Sequence, residues 1–196
     1  MTAPTTTLMT ADEFHQWVTR PENAGRHFEL ERGRIVEMSR PGERHGFVAG
    51  NIARLLGNYT FARRRGYVCG NDTGVLWERD PDTVRGPDVM YYAERRRSRD
   101  LSPRYSDQVP LLVVEVVSPN DRPSKVTARA GKFLDWGVKV VWVVDPEDST
   151  LTVYRANQTP TVLQPDEEVK DEETLPDFHC RVGDFFATPG DDEEAP

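Results

Sequence analysis

The sequence predicts an α/β fold in which a mixed β-sheet is flanked by helices, with an N-terminal β-hairpin. Residues 27–38 alternate between polar and apolar positions, which is the period-two pattern of a hairpin with one polar face. Residues 111–144 contain two apolar strands with a helical segment between them. Such a crossover unit places its two strands side by side and parallel.

Two helices are predicted in the first 64 residues. Thr10 and Glu13 match the Ser/Thr-x-x-Glu capping box and begin a helix that ends near Val18. A longer helix runs from about Glu43 to Arg64. Its apolar residues recur at helical spacing and form one stripe, which consists of Val48, Ile52, Leu55 and Tyr59.

Strands are predicted where short apolar or alternating runs lie between turn residues. These runs are His27–Glu31, Arg34–Met38, Tyr67–Cys69, Gly74–Trp77, Pro87–Tyr92, Leu111–Val117, Val138–Val144 and Leu151–Tyr154. Leu111–Val117 is apolar on both alternating faces, which is typical of a central strand covered on both sides. Ser118–Asp121 is a helix-entry signal for the crossover helix, which ends at about Trp136. The arginine-rich segment from Glu94 to Ser106 has no period and is predicted to be a loop.

The charge of the chain is concentrated at its C-terminal end. The 196 residues carry 25 Lys and Arg against 33 Asp and Glu, a net charge of −8. Residues 166–196 hold 12 acids and 2 bases (2 − 12 = −10), which leaves 23 bases and 21 acids (+2) in residues 1–165. We predict a flexible tail over 1–9, one domain over 10–187 and an acidic, disordered tail over 188–196. Apolar residues before that tail are expected to dock back onto the domain; they are Phe178, Val182, Phe185 and Phe186.

The sequence predicts neither a membrane span nor a signal peptide. The longest apolar runs are far shorter than the roughly 20 residues that a bilayer requires. The N-terminus lacks the basic and apolar regions of a signal peptide, so we expect a cytoplasmic protein. The two cysteines, Cys69 and Cys180, are expected to be buried free thiols.

Glu115 is the most informative residue, because a carboxylate inside a buried apolar strand must be protonated, paired or bound to a metal. Asp88, at the start of another strand, is the natural second carboxylate. Two carboxylates that converge from neighbouring strands make a hard oxygen site suited to Mg²⁺, with Mn²⁺ as a substitute. Such a metal polarises a phosphodiester and lowers the pKa of an attacking water. The alternative is a structural ion pair between Glu115 and an arginine.

Five short motifs occur in order along the chain. They are Phe28 to Leu30 with Gly33 to Met38, His45 at the start of a helix, Gly86 to Val89, Val114 to Asp121, and Gly137 to Pro146. Together they resemble the PD...D/E-x-K nuclease superfamily and, more closely, the Uma-two family of restriction-endonuclease-like proteins, over roughly residues 8 to 187. The resemblance implies a restriction-endonuclease-like fold and a metal-dependent nuclease that acts on DNA.

The resemblance also implies site residues. Asp88 and Glu115 would be metal ligands, and Glu29 would add a third carboxylate, as the matching glutamate does in relatives. Strand alternation puts Glu29 on the same hairpin face as His27 and Glu31, so a solvent-exposed polar face is the alternative. His45 would assist in binding water or phosphate, and a surface or N-cap histidine is the alternative.

The chain departs from the superfamily pattern at the third site residue. That position is Val117, which cannot hold a water or stabilise phosphate charge. In Uma-like proteins a lysine on the following helix takes this role, at a position that aligns with Arg129. Lys125, Arg129 and Lys132 share one helix face, so any of them could point at the carboxylates, and a solvated basic stripe is the alternative. Arginine binds phosphate well but is a poor base.

Two hypotheses about function follow from these observations. The first is a Mg²⁺-dependent endonuclease that hydrolyses DNA phosphodiester bonds, with Lys125 or Arg129 stabilising phosphate charge and arginine clusters at 63–65 and 95–99 as phosphate contacts. The second is a catalytically silent nuclease-fold module for binding or assembly, which is favoured by Val117, by Arg129 in place of lysine and by the net acidity. Buried parallel strands and an exposed hairpin edge favour a homo-oligomer, with a dimer as the first expectation.

Overall fold

A computed structural model describes residues 8–70, 73–119 and 121–190. These residues fall into two compact units. The first combines residues 8–40, 73–86 and 98–108, and the second combines 41–70, 87–97, 109–119 and 121–190. Most of the two predicted tails, residues 1–7 and 191–196, lies outside the described residues. The prediction of one domain over 10–187 stays a prediction.

The helices and strands alternate in the manner of an α/β protein. The helices are α1 (Ala11–Val18), α2 (Glu43–Arg63) and α3 (Pro123–Trp136). The strands are β1 (His27–Glu31), β2 (Arg34–Met38), β3 (Tyr67–Cys69), β4 (Val75–Glu78), β5 (Thr83–Arg85), β6 (Val89–Tyr92), β7 (Leu112–Val116), β8 (Val140–Asp145), β9 (Thr150–Tyr154), β10 (Thr161–Leu163), β11 (Glu168–Val169) and β12 (Cys180–Arg181).

The first unit contains α1 and a four-stranded antiparallel sheet in the order β2-β1-β5-β4. The capping box of α1 is confirmed, because the Thr10 hydroxyl accepts from the Glu13 N–H and the Glu13 carboxylate accepts from the Thr10 N–H. The hairpin is confirmed as well. Arg32 and Gly33 have φ values of 48° and 73°, and a two-residue hairpin turn needs positive φ at both positions. Strand β5 was not predicted, because three residues are too short to show a period.

The second unit contains a six-stranded mixed sheet in the order β10-β9-β8-β7-β6-β3. Strands β7 and β8 are parallel neighbours, with Leu112 opposite Val140, which confirms the predicted crossover. The other strand pairs of this sheet are antiparallel. Strand β6 begins at Val89, two residues after the predicted start at Pro87.

The central strands of this sheet, β6, β7 and β8, bury both faces. Leu112, Val114 and Val116 belong to a core that includes the buried stripe of α2. That stripe contains Leu56, while the predicted Leu55 is only partly buried at its flank. Because successive strand residues point to opposite faces, Glu115 points away from this core. Helix α3 contacts β8 and buries Val126, Ala130 and Phe133.

The C-terminal part of the second unit docks as predicted. Phe178, Val182 and Phe185 are buried in the core that includes α2. The Asn51 side chain, on α2, donates to the carbonyls of Phe185 and Ala187 and fixes this segment. Both cysteines are free thiols; Cys69 is half-buried, and burial raises the pKa of Cys180 to about 12. Among the described helices, none has the length and apolar character needed to cross a membrane.

Candidate active site

Asp88 lies immediately before β6, the antiparallel neighbour of the strand β7 that carries Glu115. The pairing sets Val89 opposite Val114, and the Asp88 carboxylate reaches the end of β7, where it accepts the Val116 N–H. The charges of both Asp88 and Glu115 act on His45, so both carboxylates lie near this histidine. The structure therefore brings together the two carboxylates that the sequence singled out.

Asp88 is held by a backbone donor and by a histidine. Its Oδ2 accepts the Val116 N–H at 2.7 Å and lies 3.3 Å from His45 Nε2. The aspartate thus extends the β6–β7 ladder with its side chain just before β6 begins. These two contacts fix the orientation of the carboxylate.

His45 is a buried residue in the first turn of α2. It is neither a surface histidine nor the N-cap, which is Gly42. Burial acts to lower the pKa of His45, but the hydrogen bond and charge of Asp88, the Val116 backbone and the charge of Glu115 together raise it above its ordinary value. Among the described residues its Nδ1 has no hydrogen-bond partner.

Glu115 is buried and pairs with Arg129 of α3. Arg129 Nη1 lies 2.6 Å from Glu115 Oε2, and the Arg129 side chain is 37% exposed. The arginine pair weighed as an alternative for Glu115 therefore exists in the structure. Its partner, Arg129, aligns with the family lysine. The ion pair and the proposed site therefore use the same two side chains, Glu115 and Arg129.

Asp121 is a third carboxylate near this pair, and its sequence context did not single it out as a site residue. Its Oδ2 accepts the Ser118 N–H at 2.9 Å, and its Oδ1 lies 4.0 Å from Arg129 Nη2. The predicted helix-entry signal at Ser118–Asp121 directly precedes α3, which begins at Pro123 with Arg122 as its N-cap residue. Asp121 closes a turn. The sequence feature that could have marked it as a site residue is its place just after the strand that carries Glu115. Asn120, in the same motif, lies outside the described residues.

The other basic residues of the predicted helix face do not join the carboxylates. Lys125 and Lys132 are exposed, and within the described parts of the chain Lys125 forms no ion pair. For these two lysines the solvated stripe describes what is observed. Arg129 alone of the three is seen against Glu115 in the described structure.

Glu29 lies in the first unit and is covered rather than exposed. Its Oε1 accepts the Gly86 N–H at 3.1 Å, and its Oε2 pairs with Arg85 Nη1. Arg85 Nη2 also lies 2.9 Å from Glu31 Oε1. The exposed-face alternative is wrong, because the Arg85 side chain covers this face of the hairpin. The metal role of Glu29 stays a prediction.

Val117 and the arginine clusters complete the set of predicted residues. The Val117 N–H donates to the Val144 carbonyl at 2.8 Å, so this residue continues the β7–β8 ladder. Arg63 is engaged by the Pro176 carbonyl and by Asp177. Arg64, Arg95 and Arg99 are exposed to solvent.

The two carboxylates supply oxygen donors, which are the ligands that a hard divalent cation takes. Within residues 8–70, 73–119 and 121–190, no group of three or more His, Cys, Asp and Glu side chains is arranged to hold a metal. Mg²⁺ is usually bound through one or two carboxylates together with waters and substrate phosphates. Asp88 and Glu115 are residues of that kind.

Comparisons with known proteins identify the family. The family model Uma2, described as a putative restriction endonuclease, matches residues 11–183. The chain belongs to the Uma2 family. The resemblance drawn from the five motifs is therefore confirmed, and it extends over nearly the whole described chain of this Uma2 protein.

A solved structure confirms the fold of this Uma2 chain. It is described as a putative nuclease belonging to DUF820 from Anabaena variabilis ATCC 29413, and it is 22% identical in sequence with a TM-score of 0.73. The match covers 91% of this chain and 97% of that chain. The predicted α/β fold of the nuclease type is thus confirmed. None of the curated proteins matches the chain.

Proposed function

We propose that this Uma2 protein is an endonuclease that hydrolyses DNA phosphodiester bonds at the Asp88–Glu115 pair, with Mg²⁺ as its cofactor. The observation that supports this most is that Asp88 accepts the N–H of Val116, the residue after Glu115, and that both carboxylates act on His45. The family description and the Anabaena variabilis structure point to the same class of activity.

The residues around the two carboxylates have different proposed roles. Asp88 and Glu115 would hold the metal, which when bound polarises the phosphodiester and activates a water. The Val116 N–H and His45 hold the Asp88 carboxylate in one orientation. Arg129 lies at the solvent-accessible side of Glu115, where its guanidinium can bind a phosphate and stabilise the charge that develops on it. Arginine keeps its proton, so Arg129 does not act as the base.

The slightly basic charge of residues 1–165 is compatible with DNA as the proposed substrate. The net charge of residues 1–165 is +2, from 23 bases and 21 acids. Arg64, Arg95 and Arg99 are exposed and available for phosphate contacts. The acidity that lowers the net charge to −8 lies in residues 166–196.

Cleavage assays with matched variants test the proposal. The wild type is incubated with single-stranded, double-stranded and branched DNA in Mg²⁺ or Mn²⁺, beside Asp88→Asn, Glu115→Gln and the control Asp135→Asn. Asp135 is an exposed acid on α3, so its variant should cleave like the wild type. The site variants should lose cleavage. A wild type that is inert on all substrates and binds no divalent ion by calorimetry contradicts the proposal.

The Glu115–Arg129 pair also supports a second candidate function. A buried carboxylate that already has an arginine partner at 2.6 Å is satisfied without a metal, which suits a catalytically silent nuclease-fold module. Arg129→Lys separates the two functions. If this variant gains cleavage, the site is a nuclease site short of its usual cation. If Glu115→Gln leaves cellular function intact, the silent module is favoured.

We also propose that the chain forms a homodimer in the cytoplasm. Strands β2 and β10 lie at sheet edges, and Val162 of β10 is 53% exposed. Unpaired strand edges with exposed apolar side chains favour pairing with a second chain. Light scattering coupled to size-exclusion chromatography tests this: a monomer mass at micromolar concentration contradicts it. Fractionation of cells that express the tagged chain tests the location.

A further inference from the structure

One guanidinium is shared between two carboxylates of unequal burial. Arg129 Nη1 lies 2.6 Å from Glu115, and Nη2 lies 4.0 Å from Asp121. The Glu115 side chain is 11% exposed and the Asp121 side chain is 29% exposed. Glu115 belongs to β7, and Asp121 lies between β7 and α3. Both acids lie near the side chain of Arg129, which belongs to α3.

A metal at Glu115 would compete with Arg129. A buried carboxylate needs a compensating cation, and in this structure the guanidinium supplies that charge. A divalent ion at the same carboxylate brings a second and stronger positive charge. Two cations on one carboxylate repel each other, so binding of the metal favours the departure of Arg129.

Asp121 lies where the displaced guanidinium can be received. Its Oδ2 is fixed by the Ser118 N–H at 2.9 Å, so its position is set before Arg129 arrives. A shift of about 1 Å brings a guanidinium N–H from 4.0 Å to hydrogen-bond distance of Oδ1. The greater exposure of Asp121 also leaves the relocated arginine near solvent, where a substrate phosphate can reach it.

We propose that Arg129 is a built-in counter-ion that occupies Glu115 when no metal is bound, and that Asp121 is the positioning residue that receives Arg129 when a divalent metal enters. This inference rests on the proposed function, because it assumes that Glu115 is a metal ligand. It links the loading of the metal to the release of an arginine next to the scissile phosphate.

Calorimetric titration of the full chain with Mn²⁺ tests the inference without any activity assay. Arg129→Gln removes the competitor and should bind Mn²⁺ about fivefold more tightly than the wild type. Lys132→Gln removes an exposed positive charge from the same helix and should change the affinity by less than about twofold. The same tighter binding should appear as a larger Mn²⁺-induced rise in melting temperature for Arg129→Gln than for the wild type.

The role of Asp121 is tested by Asp121→Asn. The asparagine oxygen can still accept the Ser118 N–H, so the turn is kept while the charge is lost. Mn²⁺ affinity should fall about threefold, and by more than in the exposed-acid control Asp135→Asn. In the Arg129→Gln background the Asp121→Asn substitution should have much less effect, since no guanidinium remains to be received.

The outcomes separate the inference from the proposed function. If Mn²⁺ binds equally to wild type and Arg129→Gln, or if Asp121→Asn weakens binding equally in both backgrounds, the inference is overturned while the metal site stands. If neither wild type nor variants bind Mn²⁺, the proposed metal site fails and the inference falls with it. Should Arg129→Gln not fold in EDTA, the comparison of Asp121→Asn with Asp135→Asn decides: equal affinities overturn the inference.

Discussion

Each unit of the molecule contains a covered Glu–Arg pair, and the two pairs differ in what surrounds the arginine. Glu29 pairs with Arg85 in the first unit, where the Arg85 side chain is 18% exposed and also contacts Glu31. Glu115 pairs with Arg129 in the second unit, where the arginine is 37% exposed and has Asp121 at 4.0 Å. We call the first pair closed, because Glu29 also accepts the Gly86 N–H. In the second pair, Arg129 has a second carboxylate, Asp121, to which it can move.

This difference shows why a buried carboxylate does not by itself identify an active site. Both glutamates satisfy the rule that buried charges are paired. Glu115 differs because Asp88 contacts the residue that follows it and because its arginine is partly exposed and has a second acid nearby. Under the proposed function, these neighbours of the pair, not the pair itself, mark the site.

Loss of cleavage should be the largest effect and should separate the pairs most clearly. Glu115→Gln removes a proposed metal ligand and should lower DNA cleavage by at least about a hundredfold, the scale seen when a group that stabilises developing charge is lost. The closed pair is disrupted with Arg85→Gln, which should leave cleavage within about tenfold at a temperature where the variant is folded. Single-turnover cleavage in Mg²⁺ measures both. Equal losses would contradict the distinction between the pairs.

Stability should respond in the opposite order. Arg85→Gln leaves Glu29 covered without its cation and should lower the free energy of unfolding by about 3 kcal/mol. Arg129→Gln should lower it by about 1 kcal/mol in EDTA, because its pair is partly exposed and water replaces the guanidinium. Urea unfolding followed by circular dichroism gives both values. A larger loss for Arg129→Gln would show that the second pair is also structural.

The pH dependence of stability should report on His45 in the second unit. The pKa of His45 is raised in the folded protein, so its contribution is fully present below the unfolded value of about 6.5 and is lost as the pH rises through the folded pKa. In metal-free buffer the wild type should lose about 1 kcal/mol over this range, the net size of a typical hydrogen bond. His45→Gln should show a flatter profile. Identical profiles would show that the histidine is not coupled to Asp88.

Salt should have the smallest effect and should sharpen the comparison. Raising NaCl from low concentration to 1 M screens exposed charges more than buried ones. The destabilisation caused by Arg129→Gln should shrink by about 0.5 kcal/mol, while that caused by Arg85→Gln should stay nearly constant. Urea unfolding of the two variants at both salt concentrations measures the change. A large salt dependence at Arg85 would place that pair among the exposed ones.

Much of the fold was predictable because its signals are local. The capping box at Thr10, the turn at Arg32-Gly33 and the crossover between β7 and β8 are each specified by a few neighbouring residues or by one period. Short strands such as β5 and β10 escaped prediction, since three residues show no period and gain their hydrogen bonds from distant partners. Helix α3 follows the signal at Ser118–Asp121 as expected, but its N-cap residue is Arg122, and Asp121 closes a turn before it.

The candidate site was predictable in its carboxylates and less so in their partners. Asp88 and Glu115 stood out because a carboxylate at the start or in the middle of an apolar strand is costly to bury unless it is paired, protonated or bound to a metal. Asp121 did not stand out, because an acid after a strand is also a common turn residue. The cover of Glu29 by Arg85 was equally hidden, since 56 positions separate them. Contacts of that kind depend on strand pairing rather than on spacing along the chain.

The sequence by itself determined the fold class, the family motifs and the two acids proposed as metal ligands, because periodicity and local turn chemistry are written into neighbouring residues. Only the tertiary structure decided that Asp88 contacts the end of β7 beside Glu115 and that Arg129, not Lys125, contacts Glu115. Strand register and the reach of a helical side chain depend on how whole elements pack. The chemistry of the site was encoded locally, and its geometry was set by that packing.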